Sequence, residues 1–419
     1  MKEKNNENVQ IRTRQAGEMK RPAPAKKEKK RVKIDYKDME VSEYYLAASK
    51  RYRFAKFLSF ALLVAFLAVN LLFFRSNITY NNLMYLLRDL DTGGAEITSD
   101  FASITYNEES GAVFDIFKGR LAYASQEGFR IYNSTGAREL DESRYMQNPA
   151  VVSGEKYALV YDVGGHAYSI FTTMACVLEG SSDDIVEDAC VSDNGSFALL
   201  TRSNEAKYLV SVYKENFRLQ TKYYKDKYVV DMAMDDKGKS LAIVSADVSV
   251  SGISGEIMLC KVGTEETKTI NVANAMPLAA RYMENGDLLV LCDTKLINVS
   301  DGEIKSKYNF SGGDVAEFHI GEDSVAAVCS DNAVSSENEV FLFDSQGQLV
   351  YNKSVKGKIN SVCCDKSAVY VLCDDSIISI SADGSEKSVS CDASVEDIVV
   401  LYGTLLKCEK LGTSSVKFE

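Results

Sequence analysis

The chain has 419 residues, 46% of them apolar, with two His, no Trp and a formal net charge of −12. The apolar fraction excludes a wholly disordered chain, and the charge is split: residues 1–56 hold 17 Lys/Arg and 8 Asp/Glu (+9), leaving 31 and 52 (−21) for residues 57–419. A main body so negative repels phosphate backbones, which argues against nucleic acid as a partner, and two His leave few routes to acid–base catalysis.

The first expected segment, residues 1–54, is a basic cytoplasmic tail ending in a juxtamembrane stretch. Residues 1–40 mix Lys/Arg, Glu, Asn and two of the four Pro with almost no apolar periodicity, which predicts disorder. The run Lys26, Lys27, Lys29, Lys30, Arg31, Lys33 either attracts an anionic leaflet, at about 1 kcal/mol per charge, or is a solvated topology signal. Tyr44, Tyr45, Tyr52 and Phe54 fit an interfacial belt. Residues 55–75 are expected to be a transmembrane helix, because Phe57–Phe74 contains only Ser59 and Asn70 as polar residues and at helical rise spans about 27 Å. No small-x-small cleavage site follows it, so the segment reads as an uncleaved anchor rather than a signal peptide. Lys50, Arg51, Arg53 and Lys56 before the span outnumber Arg75 and Arg88 after it, which keeps the N-terminus cytoplasmic and the C-terminal domain extracytoplasmic in the cell membrane. In residues 76–97, Tyr80, Leu83, Met84, Leu87 and Leu90 recur at helical spacing until Gly93 and Gly94, which predicts a short amphipathic linker helix.

Residues 98–419 read as all-β. Short apolar runs recur to the end: RLAYA from Arg120, KYALVY from Lys156, SFALLT from Ser196, SLAIV from Ser240, DLLVLC from Asp287, SVAAVC from Ser324, AVYVLC from Ala368 and TLLKC from Thr404. Their starts are 36, 40, 44, 47, 37, 44 and 36 residues apart, matching the period of about 40–45 residues of a four-stranded propeller blade. Tight-turn signals precede the runs, as at Gly195, Gly238 and Gly286, and a further strand follows, as in EVFLF from Glu339. Consecutive apolar positions such as Leu288–Leu291 suit a strand buried on both faces, which is the environment of a blade stacked between two others. The expected fold is therefore a β-propeller of eight four-stranded blades, with seven as the alternative. The last unit shows only three strands, and FASITYN at 101–107 stands before the first complete unit, so pairing the two would close the ring and remove an exposed edge.

In period and turn chemistry residues 100–419 resemble a bacterial membrane-anchored β-propeller of the WD-repeat-like and quinoprotein-like kind, within an uncharacterised family. The resemblance does not extend to Trp-Asp dipeptides or tryptophan docking, since the chain has no Trp. Cys292, Cys329, Cys373 and Cys408 end equivalent runs. Facing sheets lie about 10 Å apart, too far for the roughly 7 Å Cα limit of a disulfide, so these cysteines read as small buried hydrophobes. Cys363 and Cys364 either form a vicinal disulfide or point to opposite faces of one strand. His166, near Asp162, and His319, near Glu317, read as strand histidines without a nucleophile in a recognisable motif, and the turns at Asp183–Asp184 and Asp374–Asp375 lack the ligand pattern of a Ca²⁺ loop. No catalytic, cofactor-binding or metal-binding residue is assigned and no cofactor is expected. The expected function is a non-enzymatic, membrane-anchored extracytoplasmic binding scaffold engaging a protein or ligand of the cell envelope. The alternatives are a transmembrane sensor relaying ligand binding to the tail and, third, a quinoprotein-like enzyme.

Overall fold

The computed structural model describes residues 43–73, 103–106, 111–249, 252–330, 337–401 and 403–418. They fall in two units, Met1–Arg88 and Asp89–Glu419. In the first, a helix runs from Glu43 to Phe73. Phe57, Leu58, Phe60, Leu62, Leu63 and Val64 are all exposed on it. Among the described residues, no helix is long and apolar enough to cross a membrane. Within the predicted span the described side chains are those of 57–66 and 68. The other side chains of Phe57–Phe74, and the whole of the tail 1–42 and the linker segment 76–97, lie outside the described residues.

The second unit is a closed ring of eight four-stranded antiparallel sheets. Blades 1 to 7 occupy residues 113–143, 149–181, 186–225, 228–273, 277–309, 314–356 and 359–390, and blade 8 takes 395–415 together with Ile104–Thr105. The first strand of each blade touches the first strand of the next, round to Val395–Leu401 of blade 8 against Val113–Phe117 of blade 1, so these strands form the inner wall. The apolar runs noted in the sequence are the second strands. Leu288–Cys292 and Ala368–Cys373 are buried at every position, as a strand packed on both faces requires. Fourth strands such as Cys176–Ser181 and Glu303–Asn309 alternate or face solvent, and Lys and Glu populate them. Among the described residues, buried apolar side chains form eight clusters, and each belongs to one seam between adjacent blades, including the seam between blades 8 and 1. The core is thus a ring of eight contacts, and closing it matters for every blade.

Ring closure follows the sequence expectation. The order of the closing sheet places Ile104–Thr105 outermost, against Gly412–Ser415, with Ile104 opposite Thr413 and Thr105 opposite Gly412. A Cβ on Gly412 would lie 2.5 Å from the Ile104 carbonyl oxygen, so only glycine lets the strand approach there. The Tyr106 hydroxyl donates to the Glu409 carbonyl (2.9 Å) and pairs with Thr413 Oγ1 (3.0 Å). Its ring packs on Tyr123 of blade 1, with centroids 4.8 Å apart. One short segment therefore stitches blade 8 to itself and to blade 1.

Candidate functional site

Inner strands in six blades carry a bulge, between Val186 and Asp188, Val229 and Asp231, Pro277 and Ala279, Val315 and Glu317, Ile359 and Ser361, and Val395 and Asp397. A bulge re-aims the next side chain and sharpens the local twist, and in five of these six blades that side chain is polar. Asp115 occupies the matching place in blade 1. Each of the four aspartates accepts the N–H of the residue after it through Oδ1: Ile116 at 2.8 Å, Ala189 at 2.8 Å, Met232 at 2.7 Å and Ile398 at 2.8 Å. That local bond fixes the rotamer and leaves the carboxylate free to reach a neighbouring blade.

Most of these groups do reach one. Asp188 Oδ1 accepts from the Tyr161 hydroxyl of blade 2 (3.0 Å), and Asp231 Oδ2 accepts from the Ala280 N–H of blade 5 (2.7 Å). Ser361 Oγ of blade 7 donates to Asp397 Oδ1 of blade 8 (2.7 Å). Arg281 of blade 5 donates to the Ile320 carbonyl of blade 6 (3.2 Å). Between blades 6 and 7, His319 Nδ1 lies 3.3 Å from Cys364 Sγ, which also accepts from Ser324 Oγ at 3.4 Å. Polar bonds thus brace successive blades along the inner wall.

The wall is also strongly acidic. Its eight strands contain Asp115, Glu187, Asp188, Asp231, Asp314, Glu317, Glu396 and Asp397 against Arg281 as the one Lys or Arg. Such a lining favours cations and repels anions. The inner carboxylates keep some accessible surface, yet protein on most sides desolvates them. Burial pushes Asp188 up to about 6, and burial with the neighbouring Asp188 charge pushes Asp231 up to about 7. Asp115 and Glu317 are raised as well, both chiefly by burial. The Asp188–Asp231 pair therefore changes charge near neutrality, which ordinary aspartates do not.

The histidines behave differently from their sequence neighbours' suggestion. His319 is not paired with Glu317. It sits against Cys364, and burial, then the Arg281 charge, lowers it to about 4, so the ring is neutral at pH 7. Burial pushes Cys364 up to about 11, which keeps the proton on sulfur and leaves almost no thiolate to act as a nucleophile. His166 Nδ1 lies 3.1 Å from the Ser182 carbonyl, while Asp162 Oδ1 accepts from the backbone of Gln147 and Asn148 (2.9 and 2.7 Å). All ten cysteines are free thiols, and eight are buried. Cys363 and Cys364 face opposite seams, one toward blade 8 and the other toward blade 6. Asp374 Oδ1 accepts from Asn360 Nδ2 at 2.9 Å. Among the described residues, no group of three or more His, Cys, Asp or Glu is placed to hold a metal ion.

Residues 97–406 match DUF5711, a family of unknown function, and the chain belongs to that family. No curated protein matches it in sequence. Among solved structures it is similar to BamB from Moraxella catarrhalis, at 12% identity and a TM-score of 0.52, over 76% of this chain and 97% of that one. It is also similar to the Pan2 WD40 domain from Neurospora crassa, at 9% identity and a TM-score of 0.45, over 75% and 94%. At 12% identity the likeness to BamB is one of fold alone, and the fold of this chain is the eight-bladed β-propeller described above.

Proposed function

We propose that this member of DUF5711 is a non-enzymatic binding scaffold, anchored in the cell membrane by its N-terminal helix with the propeller outside the cytoplasm, and that its partner is a protein of the cell envelope. The observation that carries the binding reading is the fate of the inner-wall polar groups. Asp188, Asp231, Asp397, Arg281 and the His319–Cys364 pair are engaged in blade-to-blade bonds, and a stiff frame that presents many turns is suited to recognition. The only thiol–imidazole contact in that set has its proton held on sulfur, which weighs against covalent catalysis. For the anchor, the support is a helix with exposed apolar side chains at Phe57, Leu58, Phe60, Leu62, Leu63 and Val64, a surface suited to lipid.

Two measurements test this reading. A reporter active only in the cytoplasm should work when fused at the N-terminus and fail at Glu419; the opposite pattern refutes the orientation. A lysine-reactive crosslinker applied to intact cells should link the full chain to one protein in constant ratio, and recovery of the chain alone refutes the scaffold reading.

A further inference from the structure

Blade 4 departs from its seven neighbours in one respect. Its second and third strands, Ser240–Ser249 and Gly252–Lys261, are ten residues each. Pairing with the inner strand ends at Tyr228–Ala246, and pairing with the outer strand ends at Ser254–Ala273. Between themselves the two strands continue through Asp247–Ser254, Val248–Ile253 and Ser249–Gly252. A two-stranded tip therefore stands beyond the blade.

Isolated ribbons of this kind are marginal, but this one is braced at its base on both faces. On one face, Glu256 binds Lys225 and Lys227 Nζ, each at 2.6 Å, with the Lys225 and Glu256 side chains only 8% and 12% exposed. On the other, a Cβ on Gly255 would lie 2.7 Å from Pro277 Cγ, so glycine lets blade 5 pack close. The tip is held in place while its own apolar pair is left in water: Val248 is 68% and Ile253 41% exposed. By strand alternation these two share the face of Val244 and Ile257, which are buried in the seam with blade 5. Met276, in the link to blade 5, is exposed beside that seam. The opposite tip face carries Asp247, half exposed, with Lys227 Nζ 3.9 Å from its Oδ2 while that lysine's closer partner is Glu256 at 2.6 Å.

The position is not arbitrary. Tyr145, Met276 and Leu411, the exposed large apolar residues in described turns and links, lie at the same end of the ring as the tip. The turns joining first to second and third to fourth strands, at the other end, contain none among the described residues. Beyond Asp247, where Lys227 Nζ lies 3.9 Å from the carboxylate, the inner strand has ended and a short sheet edge borders an apolar surface. Such an edge recruits an extended strand. A second copy of the chain is a poor occupant, because residues 57–419 carry a net −21 (31 Lys/Arg against 52 Asp/Glu) and two copies repel. Charge complementarity selects a cationic occupant.

We infer that the tip of blade 4 is the docking point for an extended segment of a partner protein, with apolar side chains laid against Val248, Ile253 and Met276 and Lys or Arg side chains toward the Asp247 face. This rests on the binding-scaffold reading and names the surface and partner chemistry for it. In the intact chain in its own cells, a photocrosslinking residue is placed at Val248, at Ile253 and, at the other end of the ring, at Lys237. The expected result is an adduct from Val248 and Ile253 at least tenfold stronger than from Lys237. Peptide mapping should place it on a protein segment that alternates apolar residues with an excess of Lys/Arg. With the probe moved to Met276, the pair Val248→Asp and Ile253→Asp should lower the yield tenfold, while an unchanged melting temperature shows that the ring is intact. An adduct to lipid, to a second copy or to an acidic segment, or equal yield at Lys237, overturns the assignment. If the lysine-reactive crosslinker recovers a partner while the tip gives no adduct, the docking point is wrong and the scaffold reading stands; if neither recovers one, both fall.

Discussion

Closure of the ring gives the sharpest stability prediction, since so short a strand performs it. Ile104 is 1% exposed and packs with Leu121, Tyr123 and Tyr132 of blade 1 and Leu401 and Leu406 of blade 8. Ile104→Ala removes buried methyl groups from a seam between two blades and should cost about 2–5 kcal/mol. Tyr106→Phe deletes the two hydroxyl bonds to Glu409 and Thr413, and at about 0.5–1.5 kcal/mol net per bond the loss is about 1–3 kcal/mol. The sites are two residues apart, so their effects should not add. A domain of this kind is stable by only about 5–15 kcal/mol, so Ile104→Ala takes a large share. The assay is urea unfolding followed by tyrosine fluorescence, which suits a chain with 23 Tyr and no Trp. Light scattering in the same samples should rise for Ile104→Ala, as the edge of Gly412–Ser415 becomes available for pairing between molecules. Leu411→Ala, an exposed position in the same blade, should stay within about 0.5 kcal/mol. If Ile104→Ala is equally mild and the protein stays monodisperse, the strand does not hold the ring.

Two further predictions concern the buried titratable groups. Asp188 and Asp231 bind their protons more tightly in the folded chain, at about 6 and about 7, than at the unfolded value near ~3.9. Their contribution is therefore fully present below about pH 4 and is lost as the pH rises through the folded values, so stability between pH 5 and pH 8 should fall by on the order of 1–4 kcal/mol. Asp231→Asn should flatten that slope in urea melts taken across the range, and a variant with the wild-type slope refutes the assignment. Cys292→Ala and Cys373→Ala should each cost about 1–2 kcal/mol by leaving a small cavity, whereas adding reductant should leave the melting temperature where it was, because no disulfide is there to break. A marked drop on reduction would contradict the free-thiol structure.

The fold was legible because its strongest signal is the one physics makes loudest. A strand buried on both faces has to be apolar at consecutive positions, so Leu288–Cys292, Ser324–Ser330 and Ala368–Cys373 stand out and repeat at the blade period. Counting them gives eight blades, and the odd strand before the first blade leads to its pairing with the last. The same loudness hid the order of strands. The runs are second strands, and the inner strands before them, such as Val186–Val191 and Asp314–Ile320, are mixed in polarity because one side meets an acidic channel. Blade 4's tip was also quiet: Gly252 and Ile253 lie beyond the outer-strand pairing and are exposed, so burial does not constrain them.

The inner wall, by contrast, was written in a pattern that spacing of apolar runs does not reveal. Val113-Phe-Asp115-Ile, Val186-Glu-Asp188-Ala, Val229-Val-Asp231-Met, Val315-Ala-Glu317-Phe and Val395-Glu-Asp397-Ile share the form Val-x-acid-apolar, with Ile359-Asn-Ser361-Val as a neutral variant. Each acid in this form sits where the strand has bulged or, in blade 1, at the matching place. A lone Asp in a strand reads as solvated, and only its recurrence at one structural position marks it as built in. What recurrence cannot supply is the partner. Tyr161 meets Asp188, Ala280 meets Asp231 and Cys364 meets His319 across blade boundaries, between 27 and 49 residues apart in the chain. Those pairings depend on how far each bulge turns its strand, a backbone property that no single side chain encodes. The same dependence explains how Asp188, Asp231 and Asp397 are held: each accepts an N–H or O–H donor from a neighbouring blade, which offsets part of the cost of burying it, and Asp188 and Asp231, whose charges oppose each other, are the ones left nearest to titration.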